Sequence, residues 1–468
     1  MSLRLIESER VVKRKGDVFD FTSAHGAAGG QDALVRIDTA ARLLTVQLSA
    51  DSRLGAETPK QLAALDVLLA EIHASMPGAL GGVSSEPDRA AWLELVLDRL
   101  RNTIPLLEHA LEDAHSAALA EGLAKLACEC VRWELVAKRV PDVDVWRVLG
   151  HGFATGGDSS LARIDERYGG VAKEYLRAIA YHSAGVDLLT IEQAAAVCRL
   201  VDLLLPRLTL NRGAGAFILY VVDPPQSPVP VRLSRASGMT SGWGFSPGGA
   251  IEVLAETHGQ LLRGDVPSGL TGWEPGTLRD AAAHLRRLWS HRPPVRRFRR
   301  HGADGKLLVV KGYGDIKALF QAKSGLEFRG WRIADLSRGG VGALLMPKDG
   351  GPVPDHGALL AFRPHDGVNW HLGLVRRVRL AKECAEVGIE TLSIRPELVR
   401  VDDGRVPSEM LFCDPVLKGE AVRVVAGVGA FREGASLFVN VEGRLSKLKP
   451  LGGMLQGEDY ELRVFQVV

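Results

Sequence analysis

At Pro293–Pro294 the hydrophobic period of this chain changes, and with it the kind of structure each side can form. Upstream, segments such as PKQLAALDVLLAEIHASM and RAAWLELVLDRL repeat apolar residues at intervals of three and four, which lines one face of an α-helix. Downstream, KLLVVKG, GWRIADLS, GVGALLM, GALLAFR, WHLGLVRRVRL and AEVGIETLS are short runs bounded by Gly, Pro and Asp, which read as strands of a small barrel or sandwich. The paired prolines supply the stop: proline has no N–H to extend a helix, and it biases the preceding residue to extended backbone. The expected class is α+β multidomain. A mainly helical domain with a few strands occupies residues 1–290, an arginine-rich linker 291–300, an antiparallel β-barrel 301–394, and a β-rich extension or second small β-domain 395–468.

Within the helical domain, helices are expected over residues 59–137, 161–184 and 191–205, and again in GGAIEVLAETHGQLLRG and GTLRDAAAHLRRLWS. ALVRIDTAARLLTVQLS alternates apolar and polar residues and reads as a strand, making residues 1–55 a β-rich entry. GAFILYVV and VPVRLSRA read as strands around the turn DPPQSPVP, and GHGFATGGDSS as a loop. Among the β segments, GDIKALFQAK alone is helical in pattern, and EAVRVVAGV, ASLFVNVEG and YELRVFQVV carry strands to the end.

With 468 residues, 46% of them hydrophobic, the chain can bury several cores, and a net charge of +2 leaves only local clusters to attract an anion. The opening stretch MSLRLIESERVVKRKGDVFDF lacks the apolar core of a signal peptide, and the longest apolar run, AFILYVV, is far short of the ~20 residues that cross a bilayer. A cytoplasmic protein without membrane insertion is expected. Cys128, Cys130, Cys198, Cys384 and Cys413 are odd in number and scattered, which reads as structural thiols.

Catalytic and metal motifs are sparse. Glu112-x-x-His115 has the helical spacing of a carboxylate-bridged metal site but no second copy to complete it, so a solvated helix face is the better reading. The glycines around His151 lack the Lys-Ser/Thr of a phosphate loop, and Gly312-Tyr-Gly314 is too short for a dinucleotide fingerprint. Catalysis, metal and cofactor are not expected.

Two features point to a ligand. Between Arg286 and Arg300 stand Arg286, Arg287, Arg292, Arg296, Arg297, Arg299 and Arg300 with no acidic residue among them. The planar guanidinium fork matches phosphate oxygens and the O6/N7 edge of guanine, and its face stacks on a base. Then Asp335-Leu-Ser337-Arg-Gly-Gly340 interrupts good strand sequence with an acceptor for a guanine N–H edge, a small hydroxyl and glycines that admit close backbone approach. Alone, the first reads as a basic linker and the second as a β-bulge or turn.

Together, an Arg-x-x-x-Arg segment entering a small β-domain and a later Asp-x-Ser-x-x-Gly on a strand resemble the PilZ domain family, over roughly residues 292–393. The resemblance implies an antiparallel barrel that binds cyclic di-GMP. Carried over, Arg296 and Arg300 clamp phosphate and guanine, Asp335 accepts from a guanine edge, Ser337 bonds nearby, Gly340 keeps the surface open, and Arg297 lies beside the clamp. Arg292-Pro-Pro-Val-Arg296 offers an alternative register, and the gap to Asp335 is longer than the family pattern. The signatures of enzymes that make or destroy the messenger, Gly-Gly-Asp-Glu-Phe and Glu-Ala-Leu, do not occur. The implied protein is a signalling effector acting on a protein partner, with nucleic acid not expected as a ligand. The other reading is a degenerate PilZ-like scaffold that binds no nucleotide.

Overall fold

In the computed structural model the chain is described over residues 28–49, 58–80, 86–155, 170–212, 217–233, 242–292, 298–323, 328–346, 352–381, 383–404, 407–432, 434–441 and 443–468. The region before the paired prolines is built from α1 (Ala28–Ser49), α2 (Thr58–Leu80), α3 (Glu86–Ala114), α4 (Ala117–Val136), α5 (Val143–Thr155), α6 (Gly170–Ser183), α7 (Ile191–Leu204), α8 (Ile251–Leu262) and α9 (Pro275–Leu288). Between α7 and α8, strands β1 (Thr209–Arg212), β2 (Tyr220–Asp223), β3 (Ser227–Arg232) and β4 (Trp243–Ser246) form an antiparallel sheet in the order β1-β4-β2-β3. A single apolar core runs from Ile37 to Trp289 and holds Trp92, Trp133, Trp146 and Trp289.

α4 is buried along most of its length, so the charges it carries inside must be matched. Glu134 accepts from Arg101, and the Arg132 guanidinium lies 4.9 Å from the Trp133 ring and 5.6 Å from the Tyr181 ring.

Two expectations are corrected by this architecture. ALVRIDTAARLLTVQLS is not a strand but most of α1. Its alternation competes with a second spacing, Ala33, Ile37, Ala40, Ala41, Leu44 and Leu48, which are all buried, whereas Val35, Leu43 and Val46 face outward. The three-and-four spacing wins because a helix seats that stripe against the core it shares with α2 and α3. Likewise His151 to Thr155 belong to α5 rather than to a glycine loop, and a side chain at Gly150 would collide with the carbonyl of Pro224. Residues 1–27, 50–57 and 156–169, and with them the rest of the expected β-rich entry, the second half of the expected glycine loop and the first part of the expected 161–184 helix, lie outside the described residues.

Beyond the prolines come β5 (His301–Gly302), β6 (Lys306–Lys311), α10 (Tyr313–Phe320), β7 (Arg329–Ser337), β8 (Gly340–Leu345), β9 (Leu359–Pro364), β10 (His371–Leu380) and β11 (Ala385–Ser393). The order β7-β6-β9-β10-β11-β8, with β8 pairing back onto β7, closes a six-stranded barrel, and β5 adds to β7 outside the ring. Closure removes the open edges that a six-stranded sheet would otherwise expose. Leu307, Trp331, Ile333, Val341, Phe362, Val375 and Val387 are among the residues filling it.

A second closed barrel follows, from β12 (Glu397–Asp402), β13 (Ser408–Phe412), β14 (Ala421–Gly427), β15 (Leu437–Val441), β16 (Arg444–Gln456) and β17 (Tyr460–Val467), in the order β12-β13-β14-β17-β16-β15. The two barrels share an apolar seam in which Ile316 of α10 meets Leu359, Leu372, Leu374, Leu411, Val425 and Tyr460. The Tyr460 hydroxyl, in the second barrel, donates to the Gly357 carbonyl of the first at 2.7 Å.

The first barrel also meets the helical domain, at the far end of β10. Just after α4, Val140 N–H donates to the Leu380 carbonyl (2.9 Å) and Leu380 N–H to the Lys138 carbonyl (2.6 Å), a short parallel bridge onto the end of β10. Immediately before Leu380, Arg379 Nε donates to Asp187 Oδ2 at 2.7 Å. Among the described residues no helix is long and apolar enough to cross a membrane.

Candidate functional site

The strand pairing decides where the arginine segment lands. β5 lies antiparallel to β7, with His301 opposite Leu336 and Gly302 opposite Asp335. The residue entering β5 is thereby delivered to the Asp335 carboxylate, and Arg300 Nη1 donates to Asp335 Oδ1 at 2.6 Å. Both side chains are about three-quarters covered, at 22% and 29% exposure.

Asp335-Leu-Ser-Arg-Gly-Gly340 is the corner of a hairpin. β7 ends at Ser337, β8 starts at Gly340, these two are paired, and Arg338-Gly339 make the turn. The Ser337 hydroxyl donates to the Gly340 carbonyl at 3.2 Å, and the Arg338 guanidinium sits 5.7 Å from the Phe298 ring. A register shift between Ile333 and Asp335 makes the bulge that the sequence also suggested. Gly340 serves packing: a Cβ there would overlap the Ile389 carbonyl oxygen of β11.

Following the register across the barrel gives a row. Asp335 of β7 is opposite Gly342 of β8, Gly342 is opposite Gly388 of β11, and Gly388 is opposite Arg377 of β10. Directly opposed residues face the same side of a sheet. The interior neighbours along these strands, Ile333, Val341, Ala343, Val387, Ile389 and Val378, point into the barrel, so the row lies on its outside. The result is a shallow trough about 14 Å across, three strand spacings, floored by two glycines with an acid at one end and an arginine at the other. Both glycines keep the floor clear of side chains that would crowd the charged residues at its ends. A Cβ at Gly342 would come within 2.6 Å of Asp335 Oδ1 and 3.1 Å of Arg300 Nη1, and one at Gly388 within 3.3 Å of the Arg377 Cβ.

The arginine end opens into a cavity of about 570 Å³ between the barrel and the helical domain. Arg300, Arg376, Arg377 and Arg379 enter from the barrel side and Arg232 from β3, against two carboxylates among the described residues, Asp187 and Glu390. A register shift between Val375 and Arg377 bulges β10 at this point, bringing Arg376 into the cavity wall beside Arg377. Arg376 Nε donates to Glu390 at 2.6 Å. The Arg377 side chain keeps a buried Nε without an acceptor. Its pKa is lowered by burial first and then by the adjacent Arg379, against an opposing pull from Asp187 and Glu386, with Arg300 adding to the repulsion. On the helical wall, burial pushes His182 down to about 4, with Arg379 repelling its charged form, so at neutral pH it is an uncharged ring.

Of the residues singled out in the sequence, Arg300, Asp335, Ser337 and Gly340 come together here. Arg292 is exposed just after α9, and Arg296 and Arg297 lie outside the described residues. Sequence reasoning missed Arg376, Arg377, Arg379, Arg232 and Asp187. The signal for the first three was visible as VRRVR, three arginines in one strand, but its meaning depends on the pairing that puts glycine beside them. Among the described residues no group of His, Cys, Asp and Glu is arranged to hold a metal ion. Compared with known proteins, the chain matches no family model and no curated sequence.

Proposed function

We propose that this protein is a cyclic di-GMP-binding signalling effector with a PilZ-like first barrel. Its ligand bridges the arginine segment that ends at Arg300 and the trough between Asp335 and Arg377. The observation that carries the reading is the Arg300–Asp335 pair at the rim of a glycine-floored trough leading into an arginine-rich cavity. A cyclic dinucleotide brings two phosphodiester charges and two flat guanines. Arginine forks suit the phosphates and the guanine O6/N7 edge, a carboxylate suits the guanine N–H edge, and bare glycine backbone suits the approach of a flat ring.

The ligand is bound rather than turned over, and no cofactor is involved. Because the cavity wall is half barrel and half helical domain, ligand can change their arrangement to the extent that it binds one arrangement better than another. That change is the output, read by a protein partner in the cytoplasm. Isothermal titration of the purified protein with cyclic di-GMP, beside GTP and cyclic di-AMP, tests the reading. Heat with cyclic di-GMP alone, and a raised melting temperature, is the expected result; no heat and no shift at high ligand concentration overturns it. The same pair favours the second reading, a scaffold without nucleotide, since Arg300 and Asp335 already satisfy one another; that outcome of the titration is the one a scaffold gives.

A further inference from the structure

Three arginines of β10 meet the cavity, and their charges are not equally engaged. Arg376 donates to Glu390 on the neighbouring strand and Arg379 to Asp187 on the helical wall. Arg377, between them, forms no ion pair among the described residues, and its Nε is buried without an acceptor. Arg377 feels the field of Asp187 and Glu386 but is in ion-pair contact with neither, so this half-buried cation, over a glycine that leaves it room, can still take an anion at contact distance. The nearest shareable partner is Arg379, two residues along β10, whose guanidinium is fixed by Nε alone to an Asp187 that is only 8% exposed.

We infer that Arg377 is the phosphate seat of the cavity, and that a phosphate bound there also draws Arg379 away from Asp187, so that occupancy loosens the helical domain from the barrel. The identity of the ligand as a cyclic dinucleotide rests on the reading above; the phosphate seat does not. The chemistry is ion-pair exchange. Arg379 releases one carboxylate oxygen and takes a phosphate oxygen, with no proton moved and no bond broken. Asp187 therefore acts as a built-in competitor, and linkage makes the competition reciprocal: whatever the Asp187 pair contributes to holding the two domains together it subtracts from ligand affinity.

The test uses the full chain in three forms, the parent, Arg377→Gln and Asp187→Asn, each shown to be folded by circular dichroism and titrated with cyclic di-GMP and separately with inorganic pyrophosphate. The expected results have opposite signs. Arg377→Gln should weaken binding by about ten- to a hundredfold, the scale of one charge-assisted hydrogen bond. Asp187→Asn should tighten it by about three- to tenfold. Unchanged affinity in Arg377→Gln overturns the seat, and unchanged or weaker affinity in folded Asp187→Asn overturns the competition. If cyclic di-GMP gives no heat while pyrophosphate binds the parent and not Arg377→Gln, the seat stands and the cyclic dinucleotide falls. If cyclic di-GMP binds parent and Arg377→Gln alike, the dinucleotide reading stands and the seat falls.

Discussion

Gly340 and Gly342 are two residues apart on one strand, yet alanine should affect them in opposite ways. At Gly342 the new methyl would sit 2.6 Å from Asp335 Oδ1 and 3.1 Å from Arg300 Nη1, and both are ends of side chains able to swing outward. What is lost is the ion pair, which at 22% and 29% exposure is worth about 0.5–1 kcal/mol. Against that, alanine gives up less chain entropy than glycine on folding, worth about 0.4–1 kcal/mol where the backbone conformation suits it. The two nearly cancel, so the melting midpoint should stay within about 2 °C of the parent. Ligand binding should not survive so well: with Arg300 displaced, a charge-assisted hydrogen bond of ~1.5–3 kcal/mol goes, and affinity for cyclic di-GMP falls about ten- to a hundredfold. At Gly340 the methyl meets the Ile389 carbonyl, a backbone atom of the next strand that cannot move aside alone. Overpacking of this kind costs about 2–3 kcal/mol and should lower the midpoint by roughly 4–12 °C. Differential scanning fluorimetry and titration calorimetry on the two variants decide the matter. Equal destabilisation by both, or full affinity in Gly342→Ala, would refute the account of the trough.

A double-mutant cycle on Arg300→Ala and Asp335→Ala should return a coupling of about 0.5–1 kcal/mol in stability, while each single change, and Arg296→Ala, weakens cyclic di-GMP binding about ten- to a hundredfold; additive stabilities would mean that the two side chains do not interact. Acid should destabilise the protein through His182, whose pKa is near 4 in the fold against about 6.5 unfolded. Between those values the unfolded chain holds the extra proton, so stability falls as pH falls, by about 1.5 kcal/mol from pH 6.5 to 5, and His182→Phe should flatten that stretch of the melting-versus-pH curve. Thiol labelling of the native protein should modify Cys384 alone, since Cys128, Cys130, Cys198 and Cys413 are buried, and all five should react after denaturation; prompt labelling of a second thiol would contradict the packing.

The helix-to-barrel division was legible because the two hydrophobic periods differ over long stretches, and α10 was legible among the strands for the same reason. α1 was not, because Val35, Leu43 and Val46 mimic alternation and only the burial of Ile37, Leu44 and Leu48 shows which spacing the fold uses. Of the site, Arg300, Asp335, Ser337 and Gly340 could be picked out as local motifs. The trough could not, since Gly342, Gly388 and Arg377 become neighbours only through the pairing of strands far apart in the chain. Asp187 was hidden more deeply still. Nothing local distinguishes it, and its partner lies 192 residues further on.

That separation sets an order of assembly. The core from Ile37 to Trp289 contains no residue of either barrel, so everything needed to bury it has been made before Arg300 leaves the ribosome. At synthesis rates of roughly 5–20 residues per second, about 10–40 s pass between the appearance of Asp187 and that of Arg379. For the part of that interval after Trp289 is made, Asp187 has a finished helical domain around it but not yet Arg379, and the Val140 N–H and Lys138 carbonyl have not yet met Leu380. The cavity is closed, and the β10 arginines meet Arg232 across it, only when the barrel docks onto the helical domain.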